Sequence, residues 1–143
     1  MTHIMKVIFL VLALSLVGWK GHAMSYESGR KLFLTGEGVW VTLVYLKSEN
    51  KFTNKVLIKV ENSHSELDGK IIMHEASEND GKINFVNTKE KNYTTIIYYR
   101  QYERYELWVP NRDKPIKMKL DDVESRRISG ENLVKDYLQK GGK

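Results

Sequence analysis

A period-two alternation of apolar and polar side chains runs through most of this chain and limits what the chain can fold into. Val56, Ile58 and Val60 point to one side of an extended segment, whereas Lys55 and Lys59 point to the other. Such alternation is typical of a strand with one buried face. The same pattern predicts seven strands, in the segments 39–46, 55–61, 71–73, 83–85, 93–100, 105–109 and 116–120.

Turn-forming residues separate these segments at intervals of about eight to twelve residues. Asp68-Gly69 and Asn79-Asp80-Gly81 are typical of short connections between antiparallel strands. We therefore expect residues 37–120 to form one antiparallel meander of about seven strands, arranged as a sandwich or as a small barrel.

The apolar period changes near the C-terminus, which predicts one amphipathic helix over residues 130–140. Four apolar side chains form a single helical stripe there: Leu133, Val134, Tyr137 and Leu138. Ser129 is a suitable N-cap, and Gly141-Gly142 would end the helix. The fold class is thus all-β with one C-terminal amphipathic helix. A second, short helix is predicted between Ser25 and Leu34.

The first residues have the pattern of a secretory signal peptide. Lys6 precedes the apolar run Val7–Val17, and Gly21-His22-Ala23 then places small residues where a signal peptidase cleaves. We expect residues 1–23 to be removed and residues 24–143 to form a single β domain in the periplasm or outside the cell. An uncleaved anchor is less suitable, because the eleven-residue run Val7–Val17 falls short of the roughly 20 apolar residues that span a bilayer.

An outer-membrane barrel also has alternating strands, so strand length must separate it from a domain in water. Several predicted strands have six or seven residues between turns, whereas a membrane-spanning strand needs about 9 to 11. A polar C-terminal helix has no place in the wall of such a barrel. We therefore expect no stable membrane insertion after the signal peptide is cleaved.

Composition excludes several classes of protein. The 143 residues contain no cysteine, which excludes disulfides, thiolate zinc sites and cysteine nucleophiles. Removal of residues 1–23 leaves 21 basic against 18 acidic side chains, a formal charge of +3. The lysines alternate with acids along every segment instead of forming one basic face, so no nucleic-acid partner is expected.

Catalytic chemistry has little support in residues 24–143. His64 and His74 are the histidines of this part of the chain, and neither accompanies a Gly-x-Ser-x-Gly nucleophile motif. The acidic segment Glu75–Asp80 does not fit a calcium loop, because the first and last ligand positions would hold Ala76 and Asn87. The sequence therefore predicts no catalytic residue, no metal site and no cofactor.

One short segment is unusually rich in aromatic and guanidinium side chains. It supplies five candidate binding residues: Tyr98, Arg100, Tyr102, Arg104 and Trp108. Tyrosine, tryptophan and arginine are the side chains that dominate the centres of protein interfaces. Cross-strand aromatic and cation–π pairs that stabilise a hairpin are the alternative explanation for the same residues.

These features together favour a protein that acts by binding. The leading hypothesis is an exported soluble binding protein, an inhibitor or immunity-type factor that occludes another protein. The alternative is a carrier of a small apolar ligand or lipid, with a cavity lined by Trp40, Val44, Ile97 and Tyr99. An enzyme of unknown class is the third hypothesis. A filled interior argues against the carrier, whereas an apolar cavity of several hundred Å³ favours it.

Overall fold

The computed structural model describes residues 26–91 and 93–140 and has eight antiparallel strands that form a closed barrel. Each strand pairs with the next along the chain, and the last pairs with the first. The strands are β1 (Tyr26–Gly36), β2 (Val39–Ser48), β3 (Lys51–Glu61), β4 (Ile71–Asn79), β5 (Lys82–Asn87), β6 (Thr94–Tyr99), β7 (Arg104–Leu107) and β8 (Ile116–Leu120). The predicted antiparallel all-β fold is confirmed, and the barrel is the form that it takes.

Two helices follow the barrel. They are α1 (Asp122–Arg127) and α2 (Gly130–Gln139). The Ser129 side chain accepts a hydrogen bond from the backbone N–H of Asn132 at 3.1 Å, so Ser129 is the N-cap of α2 as predicted. The predicted C-terminal helix is therefore confirmed. Residues 141–143, with the glycines expected to end it, lie outside the described residues.

The interior of the barrel is filled by side chains. Every second residue of β2 and β3 points inward, and residues of the other strands complete the core: Leu32, Leu34, Val39, Val41, Leu43, Val56, Ile58, Val60, Phe85, Ile96, Tyr105, Leu107, Val109, Ile116 and Met118. An eight-stranded barrel is just wide enough for such side chains to meet at its axis. This packing is the main source of the fold's stability.

A second apolar cluster lies outside the barrel, under α2. Leu133 and Val134 of the helix pack on outward-facing residues of three strands, which are Val44, Leu46, Leu57 and Ile71. Gly130 allows the close approach, because a Cβ atom there would lie 3.0 Å from the Cβ of Ser28. The two apolar faces of β2 are thus explained by the filled interior on one side and by α2 on the other.

The barrel closes where β1 meets β8. Leu34 pairs with Leu120, and Thr35 pairs with Lys119. Beyond this short ladder the chain continues beside β1, because the N–H of Asp121 donates to the carbonyl of Phe33 at 2.9 Å. The Ser125 hydroxyl of α1 then accepts from the N–H of Phe33 at 2.8 Å. Helix α1 therefore takes the place of further β8 residues along this edge.

Two sequence predictions are wrong, and both concern the first strand. The segment between Ser25 and Leu34 was expected to contain a short helix, but Tyr26–Gly36 is β1. The sheet consequently has eight strands and begins before residue 37. Polar residues fill the first half of β1, so the alternation that marks the other strands is weak there. The predicted signal peptide, residues 1–23, lies outside the described residues.

Candidate functional site

One end of the barrel is open and carries the candidate site, which we call the mouth. It is formed by the start of β1 and by the connections β2–β3, β4–β5 and β6–β7. The first two connections are two-residue turns with positive φ at both central residues, at Glu49 and Asn50 and at Asp80 and Gly81. This is the hairpin geometry that asparagine, aspartate and glycine favour. The short turns leave the centre of the mouth uncovered.

The β6–β7 connection, residues 100–103, is longer than the other two. Its residues Arg100–Tyr102 form one 3₁₀ turn, and Glu103 then adopts positive φ. The backbone N–H of Arg100 donates to the carbonyl of Gly81 at 3.1 Å, which joins this connection to the β4–β5 turn. The Arg100 guanidinium also forms an ion pair with the carboxylate of Glu78. Arg100 is therefore held at the edge of the mouth.

The mouth contains two adjoining clefts with volumes of about 410 Å³ and 310 Å³. Arg30, Tyr45, Ile83 and Arg100 line both clefts. Phe85 lies at the bottom, and its ring contacts the ring of Tyr45 edge to face with centroids 6.2 Å apart. The clefts thus combine an apolar floor with two guanidinium groups above it.

Arg30 reaches the mouth because β1 contains a bulge. The register of β1 against β2 shifts between Ser28 and Lys31, where β1 has one residue more than its partner. Gly29 lies in this bulge, and a Cβ atom there would be 3.0 Å from the carbonyl oxygen of Tyr45. Lys31 points outward instead, and its ammonium donates to the carbonyl oxygen of Ile128 at 2.6 Å.

Three tyrosines line the smaller cleft together with Arg30: Tyr45, Tyr98 and Tyr105. Burial raises the pKa of Tyr45, and it raises the pKa of Tyr105 to about 12, while the Arg30 charge acts on both in the opposite direction. The rings of Tyr98 and Tyr105 pack against each other with centroids 4.4 Å apart. At neutral pH the phenols of Tyr45 and Tyr105 are protonated and can donate hydrogen bonds into the mouth.

Arg104 belongs to a different group, on the outer wall of the barrel, which we call the outer aromatic cluster (Tyr99, Tyr102 and Arg104). The Arg104 guanidinium lies 5.2 Å from the ring centroid of Tyr99 and 5.6 Å from that of Tyr102. It also lies 3.4 Å from the carboxylate of Glu106, whose side chain is 12% exposed. Burial, followed by the effect of Glu106, raises the pKa of Tyr99.

The structure separates the five predicted binding residues into three places. Tyr98 and Arg100 line the smaller cleft of the mouth. Tyr102 lies in the β6–β7 connection at the rim, is 65% exposed, and has its ring beside the Arg104 guanidinium of the outer aromatic cluster. Arg104 lies on the outer wall, where its guanidinium contacts the rings of Tyr99 and Tyr102 and the carboxylate of Glu106. Trp108 follows β7 at the opposite end of the barrel, where its carbonyl accepts a hydrogen bond from the Tyr93 hydroxyl.

Sequence reasoning missed four residues of the mouth: Arg30, Tyr45, Phe52 and Glu78. They lie on four different strands, so no local pattern connects them to Arg100. Phe52 alone had a sequence signal, because a large aromatic residue beside the polar turn Ser48-Glu49-Asn50 is unusual. Its ring is 76% exposed, next to the Lys47 ammonium.

The four residues predicted to line the cavity of a small-molecule carrier do not line a common cavity. Val44 packs under α2, and Trp40 is 44% exposed outside the barrel. Ile97 and Tyr99 share the outward face of β6, since Tyr98 between them packs on the interior. The lining of Trp40, Val44, Ile97 and Tyr99 is therefore wrong, because all four side chains lie outside the filled core.

The two histidines have ordinary structural environments. His74 is 1% exposed inside the barrel, and its two ring nitrogens contact the carbonyl of Ile72 at 2.9 Å and the hydroxyl of Thr95 at 2.6 Å. His64 is exposed in the β3–β4 connection. Within residues 26–91 and 93–140, no three histidine, aspartate or glutamate side chains are grouped to hold a metal ion.

The chain matches no protein-family model, no curated protein and no solved structure. In the part of the chain that the structure describes, neither helix is long and apolar enough to cross a membrane.

Proposed function

We propose that this protein is an exported binding protein that recognises another protein with the mouth of its barrel, as an inhibitor or immunity-type factor does. The observation that carries the proposal is a pair of exposed aromatic residues on the rim, Phe52 and Tyr102, with 76% and 65% of their surfaces exposed. Phe52 is the second residue of β3, beside the β2–β3 turn, and Tyr102 lies in the β6–β7 connection, so both are at the same end of the barrel as the clefts. Exposed aromatic rings beside a concave basic surface are typical binding hot spots.

A filled barrel supports this proposal. The core side chains fill the interior, so a partner must bind on the outside of the barrel, and the mouth offers a concave surface there. Short turns on a closed barrel provide a rigid frame, and rigid surfaces lose little conformational entropy when they bind. A protein that blocks another protein's active site needs this combination of a stiff frame and an exposed recognition surface.

The chemistry of the histidines supports binding over catalysis. Both ring nitrogens of His74 are engaged inside the core, and burial lowers its pKa to about 4, so it is neutral at physiological pH. A general base needs access to its substrate. His74 has no such access, and His64 lies in the connection at the opposite end from the mouth.

A small-molecule ligand is the second candidate, because the larger cleft has a volume of about 410 Å³. This volume lies within the range of about 300 to 1,000 Å³ that is usual for ligand pockets. If the protein binds a small molecule, the ligand lies in the mouth, above Phe85, and not inside the barrel. The protein partner remains the preferred proposal because Phe52 and Tyr102 are large exposed aromatic residues at the same end of the barrel as the clefts.

The test places a photoreactive phenylalanine analogue at position 52, 102 or 40 of the exported chain in its source cells. Trp40 is the matched control, because it is an exposed aromatic residue at the opposite end of the barrel. We expect the same protein to be cross-linked from positions 52 and 102 and not from position 40. Phe52→Ser and Tyr102→Ser should each weaken the purified pair by about 30-fold.

Two results would overturn the proposal. One is a partner that is cross-linked from position 40 and not from the rim. The other is a pair whose affinity is unchanged by both rim substitutions and lowered by Trp40→Ser. Circular dichroism melting of each variant separates a loss of binding from a loss of folding.

A further inference from the structure

One of the two arginines that line both clefts of the mouth forms no ion pair with a described acid. Arg100 is paired with Glu78, but no carboxylate of residues 26–91 and 93–140 lies within 4.0 Å of the Arg30 guanidinium. Arg30 is exposed and lines both clefts. Because no described carboxylate occupies its guanidinium, its N–H groups are free to form charge-assisted hydrogen bonds with an anion that enters the clefts.

The surroundings of Arg30 match one class of anion. Arg100 lines the same two clefts, and its bond to Glu78 is an exposed ion pair that contributes little to stability. Protonated phenols of Tyr45 and Tyr105 lie close enough to the Arg30 charge for it to influence their pKa. Guanidinium groups bind the planar carboxylate through two parallel hydrogen bonds.

The floor of the clefts adds an apolar requirement. Ile83 and Phe85 form it, and Ala76 adds a further apolar side chain in the larger cleft. A bare phosphate or sulfate would leave this apolar surface exposed to water. A carboxylate on an aromatic or aliphatic body would satisfy both the charge and the floor.

We propose that the mouth is a binding site for a carboxylate carried on an apolar body, with Arg30 and Arg100 as its cationic residues. The inference rests on the mouth being the recognition site proposed above, and it assigns the chemistry of the group that enters. That group is either a free organic acid or a carboxylate at the chain end of a protein partner. The chemistry is the same for both sources.

The experiment titrates the full chain with 3-phenylpropionate, with its uncharged amide and with inorganic phosphate, using calorimetry. We expect the acid to bind, the amide to bind about tenfold more weakly or not at all, and phosphate not to bind. Arg30→Gln should weaken the acid by about tenfold, whereas Arg112→Gln should not change it. Arg112 is the matched control, because it is similarly exposed and lies at the opposite end of the barrel beside Glu37.

Glu78→Gln provides a test in the opposite direction. This substitution removes the carboxylate that competes for Arg100, so the acid should bind about two- to fivefold more tightly. Arg30→Gln is expected to fold, because Arg30 has no ion pair among the described residues, and melting curves check this. Equal affinity for the acid and the amide, or an Arg30→Gln variant with unchanged affinity, would refute the carboxylate site.

A short peptide that ends in phenylalanine, with a free or an amidated C-terminus, distinguishes the two sources. Tighter binding of the free-carboxylate peptide than of 3-phenylpropionate identifies a protein chain end, and the reverse order identifies a free acid. The outcome is separate from that of the cross-linking test. If Phe52→Ser and Tyr102→Ser release a partner while no carboxylate binds, the protein-binding mouth remains and the anion site is refuted.

Discussion

Inside the barrel, the imidazole of His74 accepts a hydrogen bond from the hydroxyl of Thr95, with 2.6 Å between Nε2 and Oγ1. The direction follows from the second ring nitrogen, because Nδ1 lies 2.9 Å from the carbonyl oxygen of Ile72 and must carry the proton. The register of β5 against β6 shifts beside Thr95, which lies between the paired residues Thr94 and Ile96. This irregularity directs Thr95 into the core next to His74.

The His74–Thr95 pair predicts how stability depends on pH. Burial lowers the pKa of His74 to about 4, whereas the unfolded chain takes up the proton near 6.5. Between these values the unfolded state binds more protons, so the free energy of unfolding decreases as the pH falls, by about 3 kcal/mol in total. Urea unfolding at pH 7, 5.5 and 4.5 measures the effect.

His74→Gln is the matched variant for this measurement. It has no imidazole to titrate, so we expect most of the decrease between pH 6.5 and pH 4.5 to disappear. A variant with the same pH dependence as the native protein would contradict this assignment, since the decrease would then come from carboxylates.

The two arginines of the β6–β7 segment are predicted to differ in their effect on stability. Arg100→Ala removes an exposed ion pair with Glu78 and should cost about 0 to 1 kcal/mol. Arg104→Ala leaves the largely buried Glu106 carboxylate without its ion-pair partner and should cost about 1 to 3 kcal/mol. Chemical unfolding of both variants gives the two free energies.

A third variant identifies the cause of the Arg104 effect. In Arg104→Ala with Glu106→Gln no charge is left unpaired, so the double variant should be more stable than Arg104→Ala alone. If it is less stable, the cation–π contacts with Tyr99 and Tyr102 are the larger contribution.

Trp108 should behave as a structural residue. Its indole Nε1 is buried and has no hydrogen-bond partner among the described residues. Trp108→Phe removes that unsatisfied donor while keeping most of the ring, so the free energy of unfolding should stay within about 1 kcal/mol of the native value or increase. Trp108→Ala should lower it by about 3 to 5 kcal/mol. Thermal and urea unfolding of both variants measure these free energies. A Trp108→Ala variant as stable as the native protein would place Trp108 on a free surface.

Gly36 is predicted to be required for closure of the barrel. A Cβ atom at this position would lie 2.1 Å from the backbone carbonyl oxygen of Lys117, and backbone cannot easily move away. We expect Gly36→Ala to lower the free energy of unfolding by about 1 to 3 kcal/mol through overpacking. Gly38→Asn is the control in the adjacent turn, where nothing lies within 4 Å and asparagine tolerates the positive φ. Equal stability of the two variants would show that β1 and β8 can separate there.

Local patterns were enough to find most of the elements. The alternation of Val56, Ile58 and Val60 and the turn Asn79-Asp80-Gly81 depend on residues close in the chain, as does the Ser129 cap of α2. Each is a property of backbone geometry over a few residues. The sequence did not predict strand β1, because its first half, Tyr26–Lys31, has few apolar residues and contains a bulge.

The composition of the mouth depended on tertiary structure. Arg30 and Arg100 lie seventy positions apart in the chain, and only closure of the barrel brings them to the same clefts. Arg100 and Trp108 are only eight positions apart in the chain. They nevertheless lie at opposite ends of the barrel, because an extended strand advances about 3.3 Å per residue. The sequence by itself therefore determined seven of the eight strands, the turns between them and the C-terminal helix, which short-range geometry controls. The filled interior, the bulge at Arg30 and the charge of the mouth were decided by pairing between distant segments, which no local pattern records.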